Sequence, residues 1–242
     1  MTRPDRRAEL AGRLAAVRAR IDAACVAAGR RPGDVALLAV TKTVPAADVA
    51  LLLDLGLTAF GENRVQEAGA KVAEVAALRP GARWHLVGGL QRNKARAAER
   101  WADRVESVDS VRLADALDAA ARRRLDTGGR GRPLSVLVQY SVDGDPDRGG
   151  APIGDLLPLA EHVVSCAGLQ LDGLMAVAPR GAEPERAFAD VAAAAERLRA
   201  AFPQARTLSA GMSGDLEGAI GHGSDVVRVG TALVGERPLI SP

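Results

Sequence analysis

Residues 35–60 read VALLAVTKTVPAADVALLLDLGLTAF, and this stretch contains the unit from which the fold can be predicted. The apolar run Val35–Val40 predicts a buried β-strand, and Ala46–Leu55 has the length and the apolar pattern of a helix. Gly56 is a typical helix end, and Leu57–Phe60 predicts the next strand. A strand, a helix and a second strand in this order predict two parallel strands joined by a crossover helix.

The same alternation continues along the rest of the chain. Further strands are predicted at Arg83–Val87, Arg104–Val108, Leu134–Tyr140, Leu169–Met175, Arg206–Ser209 and Asp225–Val229. Eight β-then-α units in a chain of 242 residues are typical of a closed barrel. We therefore expect a single (β/α)8 TIM-type barrel domain over residues 1–242, with an extra N-terminal helix over residues 5–29. An open doubly wound sheet is the alternative, although no G-x-G-x-x-G sequence follows the first strand to support it.

Charge and composition argue against several classes of partner. The 32 basic and 30 acidic residues give a formal net charge of +2, so neither a nucleic acid nor a membrane surface is expected as a partner. Aromatic residues make up only 2% of the chain, which leaves few rings for stacking on bases. Cys25 and Cys166 lack metal-site spacing, and we find no signal peptide. A reduced, cytoplasmic protein without a metal site is expected.

Lys42 is the first candidate functional residue, because it ends the first predicted strand. Active sites of these barrels lie at the carboxyl-terminal ends of the strands, so its amine is expected to project into that face. Burial there would favour the neutral amine that forms a Schiff base with an aldehyde. From position alone, the alternative is a lysine whose stem packs while its ammonium group stays in water.

Two glycine-containing loops follow the seventh and eighth predicted strands. The sequence Ser209-Ala210-Gly211-Met212-Ser213 leads into a predicted short helix over residues 213–220, and Gly230-Thr231 opens another. Phosphate sites of such barrels are often built from these two loops, so together they predict an anion site. The alternative is that Ser213 and Thr231 are ordinary helix N-caps.

Other polar or flexible residues are expected at the same ends of the strands. Arg228 lies inside an apolar strand, where a charge needs either a ligand or a buried ion-pair partner. Asn63 is expected either to contact a ligand or to cap the helix that follows it. His85 ends the third strand, where a lone histidine is usually structural, and Met175 ends the sixth.

Seven segments of the chain carry a resemblance to a known family. They are Ala39-Val40-Thr41-Lys42-Thr43, Phe60–Glu67, Trp84–Gly88, Gln91–Lys94, Gly173–Met175, Leu208–Ser213 and Val227–Thr231. Together, and in this order, they resemble the pyridoxal phosphate homeostasis proteins (the YggS-like family). The resemblance extends from about Leu37 to Gly235.

This resemblance implies a fold like the N-terminal domain of alanine racemase, with pyridoxal 5'-phosphate (PLP) held as a Schiff base on Lys42. The residues expected to bind this cofactor are Lys42, Asn63, His85, Met175, Ser209, Gly211, Met212, Ser213, Arg228, Gly230 and Thr231. It further implies a carrier or regulator of the intracellular PLP (vitamin B6) pool, which has no catalytic residues and gives PLP to PLP-dependent apo-enzymes. A monomer is expected.

An enzyme that uses the same lysine, an amino-acid racemase, is the rival interpretation. Racemisation on this fold usually needs a second acid/base, which in alanine racemases is a tyrosine that accompanies a C-terminal domain. Tyr140 is the single tyrosine of this chain and lies on the fifth predicted strand, and the sequence stops at Pro242. We therefore expect a carrier. A third alternative, a phosphosugar-binding barrel without PLP, would leave Lys42 without a role.

Overall fold

The computed structural model describes residues 3–145, 148–179 and 183–235. The strands are β1 Ala36–Val40, β2 Ala59–Glu62, β3 Arg83–Leu86, β4 Arg104–Val108, β5 Leu134–Tyr140, β6 Leu169–Ala176, β7 Thr207–Met212 and β8 Val226–Val229. The helices are α1 Arg3–Ala27, α2 Ala46–Asp54, α3 Val65–Leu78, α4 Ala95–Glu99, α5 Val111–Asp126, α6 Ile153–Ser165, α7 Pro184–Ala201, α8 Leu216–Gly221 and α9 Thr231–Val234. A 3-10 turn, Arg92–Lys94, precedes α4.

The strands form a closed parallel barrel in chain order, and β8 returns to pair with β1. This confirms the predicted (β/α)8 fold and excludes the open sheet, which would leave two strands without a neighbour on one side. Ala39 pairs with Phe60 on one side and with Val229 on the other, so the carboxyl-terminal ends of β1, β2 and β8 lie side by side. Among the described helices, none is both long enough and apolar enough to cross a membrane.

Side chains alternate between the barrel interior and the layer beneath the helices. On β1, Ala39 belongs to a buried hydrophobic cluster that also contains Leu14 of α1 and Leu52 of α2. Leu38 and Val40 face the interior instead, where they lie against Gly61: a Cβ on Gly61 would be 3.4–3.5 Å from their side chains. Each fully buried leucine contributes about 1.5–3 kcal/mol to stability, so the outer layer holds the helices on the barrel.

The second strand begins two residues later than predicted. Gly56 has a φ of +82°, its N–H donates to Leu53, and the N–H of Leu57 donates to Leu52. This is a Schellman motif, in which the residue after the glycine packs back on the helix that has just ended. Leu57 is therefore buried as part of the end of α2, and β2 runs from Ala59 to Glu62.

The seventh strand is longer and the next helix shorter than predicted. β7 continues to Met212, and α8 begins at Leu216 instead of at residue 213. Asp215 precedes the helix, and its carboxylate accepts the N–H of Met212 at 2.5 Å, which closes the intervening turn. Gly211 has a φ of +89°, and a Cβ there would lie 2.5 Å from Ala219, so only glycine allows this approach of the strand to α8.

Candidate functional site

The backbone that leads to Lys42 is held from outside the barrel. Thr41 is buried; its hydroxyl donates to Oε1 of Glu62 at 2.7 Å, and its carbonyl accepts from Nζ of Lys71 at 2.6 Å. Lys71 also pairs with Oε1 of Glu62 at 2.9 Å. Because Glu62 is 1% exposed and Lys71 12% exposed, solvent screens this ion pair only weakly. Two charged side chains therefore fix the residue immediately before Lys42.

Lys42 itself is exposed, two residues beyond the end of β1. The side chain was expected to be buried, but the chain turns at residues 42–43 and leaves it exposed. Among the described residues, Nζ of Lys42 has no ion-pair or hydrogen-bond partner. Nζ of Lys71, in contrast, is bound to Thr41 and Glu62. The amine of Lys42 is accordingly free to meet a ligand.

Arg228 lies in a buried polar network inside the barrel. Its Nη1 donates to the carbonyl and to Oγ of Ser209, at 2.8 and 2.9 Å, and its Nη2 donates to the carbonyl of Ala176 at 2.8 Å. Oγ of Ser209 donates in turn to Oε2 of Glu106 at 2.6 Å. Oε1 of the same carboxylate lies 2.7 Å from Nδ1 of His85. The network therefore connects β3, β4, β6, β7 and β8.

Of the two roles that the sequence leaves open for Arg228, the ion pair is not formed with any described carboxylate. Neutral oxygen atoms hold the guanidinium, and the charge of Glu106 lies on the far side of the Ser209 hydroxyl. A guanidinium has five N–H donors, and the three hydrogen bonds above leave donors for a ligand. Oγ of Ser209 donates to Glu106 and accepts from Arg228, so this residue positions Arg228.

Burial acts against both charges in this network. It lowers the pKa of the Arg228 guanidinium, and the negative charge of Glu106 partly opposes that shift. Burial alone would raise the pKa of Glu106, but the hydrogen bond and charge of His85, together with Arg228 and Ser209, hold it below its ordinary value. Glu106 therefore stays ionised at neutral pH, and Arg228 keeps its charge as arginines in proteins do.

Ser213 lies in the turn between β7 and α8, and Thr231 is the first residue of α9, which follows β8. Asp215 precedes α8 and Gly230 precedes α9, and neither helix has a side-chain capping hydrogen bond. The N-cap alternative for Ser213 and Thr231 is therefore wrong. Because α8 and α9 have only six and four residues, the donors at this end are the loop N–H groups and these hydroxyls, rather than the dipole of a long helix.

Gly230 brings the loop after β8 against the strand that leads to Lys42. A Cβ on Gly230 would lie 3.5 Å from the carbonyl of Val40, the last residue of β1. Met212 pairs with Arg228 across β7 and β8, so the loop after β7 starts at the level of that arginine. The structure thus gathers Lys42, the two loops and Arg228 at neighbouring positions of one end of the barrel.

Asn63 follows β2 and lies tightly against the loop after β3. A Cβ on Gly88 would be 2.4 Å from the carbonyl of Asn63, so only glycine permits this contact. The residue that precedes α3 as its N-cap is Arg64, so the capping role considered for Asn63 is wrong. Its Oδ1 is buried and has no hydrogen-bond partner among the described residues. An unsatisfied buried acceptor gives Asn63 the capacity to bind a ligand.

His85 and Met175 do not lie on the open face. Met175 is 1% exposed and pairs in register with the buried Ser209. His85 pairs with Gly61 of β2 and with Arg104, the first residue of β4. Its side chain lines a cavity of about 250 Å³ at the opposite end, together with strand-start residues such as Ala36, Ala59 and Arg83. Among the described residues, His85 is connected to Arg228 through Glu106 and Ser209.

Sequence reasoning missed Glu62, Lys71 and Glu106. Glu106 lies between Val105 and Ser107 inside the predicted fourth strand, and a charge inside a strand is the same kind of signal that identified Arg228. Lys71 carries no such signal, because a lysine on a helix is most often exposed.

Comparison with known proteins finds relatives along almost the whole chain. The family model described as "Alanine racemase, N-terminal domain" matches residues 13–238. A pyridoxal phosphate homeostasis protein of Mycobacterium tuberculosis is 48% identical over 250 residues, which cover 99% of this chain and 97% of that protein. One of Escherichia coli is 38% identical over 233 residues, with coverage of 95% and 97%.

A solved structure with a bound cofactor is also similar. It is that of PipY from Synechococcus elongatus with PLP bound, which has 38% sequence identity and a TM-score of 0.78. The match covers 93% of this chain and 100% of that chain.

Proposed function

This chain belongs to the alanine racemase N-terminal domain family, and from that premise we propose that it binds PLP through Lys42 and serves as a carrier or regulator of the cofactor. Its similarity to proteins named for pyridoxal phosphate homeostasis, and to a structure that contains PLP, supports the proposal. PLP supplies an aldehyde that condenses with a lysine amine and a phosphate group that needs several hydrogen-bond donors.

The contrast between two lysines is the observation that carries the proposal. Lys71 is committed to Glu62 and to the carbonyl of Thr41, so its amine is not available to an aldehyde. Lys42 follows Thr41 directly, is exposed, and has no partner among the described residues. The structure therefore holds the backbone of the reactive residue and leaves its amine free.

The remaining groups at this end of the barrel suit the other parts of PLP. Ser213 and Thr231 have hydroxyl groups that cap no helix, and with the loop N–H groups they would hold the phosphate. Oδ1 of Asn63, which has no partner among the described residues, would accept a hydrogen bond from the cofactor. Arg228 has donors left over and would face the nitrogen atom of the pyridine ring.

The chemistry of Arg228 favours a carrier over a racemase. A guanidinium only donates, so a ring nitrogen that faces it must remain an unprotonated acceptor. The unprotonated ring withdraws electrons less strongly than a protonated one, which weakens catalysis at the α-carbon of an amino acid. Ser209 and Glu106 hold the guanidinium in place, so residues of the barrel would keep a donor opposite the ring nitrogen.

The position of Tyr140 argues against the racemase alternative as well. Its ring is 8% exposed and belongs to the hydrophobic cluster of the outer layer, with Leu156 and Val138. Burial, together with the negative charge of Asp190, raises the pKa of its hydroxyl. Tyr140 therefore does not supply a proton donor or acceptor to the end of the barrel where Lys42 lies.

Reduction with borohydride tests the covalent attachment. Protein mixed with PLP, reduced and digested should carry the added mass on Lys42, and Lys42→Ala should carry none. The chain has only two other lysines, Lys71 and Lys94, so the site of modification is easily assigned. Lys94→Ala is the matched control and should react like the parent protein. Modification of Lys71 or Lys94 with Lys42 unmodified would contradict the proposal.

Nitrogen-15 NMR of labelled PLP tests the role of Arg228. The ring nitrogen should be unprotonated in the complex at neutral pH, and Arg228→Glu should shift its signal towards the protonated form. A protonated ring nitrogen in the parent complex would show that Arg228 does not face it.

Incubation of the PLP-loaded protein with L-alanine in heavy water tests the racemase alternative. Turnover to D-alanine at about 1 per second or faster, the range of ordinary enzymes, would contradict the carrier proposal and support a racemase.

Delivery of PLP to apo-enzymes by a cytoplasmic monomer belongs to the same proposal. The exposure of Lys42 supports delivery, because a partner can approach the covalent bond without unfolding the barrel. Transfer from the loaded protein to an apo-aminotransferase, followed through the regained activity, should be faster than the release of PLP into buffer. Equal rates would indicate that the protein only stores PLP.

A further inference from the structure

Asp115, His162 and Cys166 come together on the outside of the barrel, between α5 and α6. Their carboxylate, imidazole and thiol ligand atoms all lie within 4.8 Å of one another. Asp115 is on α5, His162 is on the last turn of α6, and Cys166 directly follows that helix. The sequence predicted no metal site because Asp115 and His162 are 47 positions apart, and only the packing of two helices makes them neighbours.

We infer that these three side chains form a binding site for a divalent transition metal, with Zn²⁺ as the best match. Thiolate, imidazole and carboxylate are the three protein ligands that zinc prefers. His162 and Cys166 are four positions apart at the end of one helix, which is the spacing that places two side chains on the same face. This inference is independent of the proposed PLP function.

The distances allow coordination after a small movement. Nε2 of His162 lies 2.7 Å from Oδ1 of Asp115, closer than the roughly 3.3–3.8 Å between neighbouring ligands of a tetrahedral zinc ion. The side chain of Asp115 is 60% exposed, so it can rotate away from the imidazole without disturbing the core. Three protein ligands leave the fourth position to a water molecule.

The electrostatic environment of Cys166 favours a cation. Burial raises the pKa of its thiol, and the carboxylates of Asp118 and Asp115 on α5 raise it further. The interaction with the side chain of Ser165 acts in the opposite direction and is smaller. The imidazole of His162 on α6 also lies near the thiol. Nη1 of Arg122 lies 3.8 Å from Oδ2 of Asp118. The two carboxylates thus place negative charge beside the thiol, which attracts a divalent cation.

Cobalt provides the spectroscopic test, because Co²⁺ takes the ligands of zinc and shows a thiolate charge-transfer band in the near ultraviolet. Titration of the reduced, PLP-free protein with Co²⁺ should produce that band at one equivalent, and Zn²⁺ should remove it. Cys166→Ser should abolish the band. Cys25→Ser, the other cysteine of the chain, is the matched control and should leave it unchanged.

Two surface variants keep the test independent of folding. Asp115→Asn and His162→Gln change partly exposed side chains, and each should weaken Co²⁺ binding at least about tenfold, since even an outer-shell partner of a metal is worth that much. Calorimetry in two buffers should also detect release of the thiol proton on binding. Absence of the band in the parent protein, or its survival in Cys166→Ser, would show that Asp115 and His162 form a surface ion pair and nothing more.

Discussion

The two ends of the barrel use polar residues in opposite ways. At the amino-terminal end, Arg104 donates to Asp172 and to Ser135, at 2.8 Å in both cases, and Ser135 donates to Asp172 at 2.5 Å. Their charges and hydrogen bonds are largely matched to one another. At the carboxyl-terminal end, Lys42 has no partner among the described residues, and Oδ1 of Asn63 is buried without one.

This difference distinguishes groups that bind one another within the barrel from groups that remain available to a ligand. In barrels of this kind the active site lies at the carboxyl-terminal face, and the opposite face serves stability. Here the carboxyl-terminal end is also supported from behind, by Lys71 outside the barrel and by Glu106 within it. The free groups are therefore attached to residues that are themselves firmly held.

The largest effect is expected from removing the support outside the barrel. Lys71→Met leaves the carboxylate of Glu62 buried without its charged partner, and such a loss typically costs about 3–5 kcal/mol of unfolding free energy. Denaturant unfolding of the PLP-free protein measures it. Lys42→Met is the matched control and should leave stability within about 0.5 kcal/mol, as expected for an exposed side chain. Similar losses of unfolding free energy in both variants would contradict the proposed difference between a structural Lys71 and a free Lys42.

A smaller loss is expected inside the barrel. Glu106→Gln removes the charge that faces His85 and Arg228, and hydrogen bonds to charged groups are worth about 1.5–3 kcal/mol. The loss should appear in unfolding of the PLP-free protein at neutral pH. The exposed Glu161→Gln serves as the control.

The same residue gives the protein part of its acid sensitivity. Folding lowers the pKa of Glu106 from its ordinary value of 4.5, so the folded state binds this proton less readily than the unfolded state. Its contribution to stability is present above pH 4.5 and is lost as the pH falls through the lower folded-state value. Stability of Glu106→Gln should accordingly fall less steeply than that of the parent protein below pH 4.5.

The sequence predicts the barrel well because the evidence for it is local. Apolar runs such as Val35–Val40 indicate the strands, and residues such as Gly56 indicate the helix ends. Eight such units in order are compatible with few folds other than the barrel. The end of the barrel where Lys42 lies follows from the same pattern. The error at Leu57 is also local in origin, because an apolar residue that closes a Schellman motif resembles the start of a strand.

The partners of the polar residues could not be predicted in the same way. Ser209 and Glu106 are 103 positions apart and meet only because β4 and β7 face each other across the interior. Periodicity shows which face of a strand is buried, but it does not show which residue lies opposite in a closed barrel. For that reason the contact of His85 with Glu106, and the network that holds Arg228, could not be predicted from the sequence.

An effect of intermediate size, confined to cofactor binding, is expected when the hydroxyl groups of Ser213 and Thr231 are removed. If Ser213 and Thr231 were helix caps, the double variant Ser213→Ala/Thr231→Ala would lose about 1–2 kcal/mol of stability for each cap. The structure shows no such caps, so unfolding should be nearly unchanged. The affinity for PLP should fall at least about tenfold, because each charge-assisted hydrogen bond to the phosphate is worth about 1.5–3 kcal/mol. Unchanged affinity would place the phosphate elsewhere.

The smallest effect is expected at the amino-terminal end, where the same chemical change can be compared directly with Glu106→Gln. Asp172→Asn also replaces a carboxylate by an amide, but Asp172 and Arg104 are 16% and 21% exposed and border an open cavity, so water can take over part of the lost interaction. The new amide oxygen can still accept from Ser135. We expect a loss of about 1 kcal/mol or less, near the upper end for solvent-accessible pairs. PLP affinity should not change, because no bond of this network reaches Arg228. A loss as large as that of Glu106→Gln, or a weakened affinity for PLP, would mean that the two ends of the barrel are not separate in function.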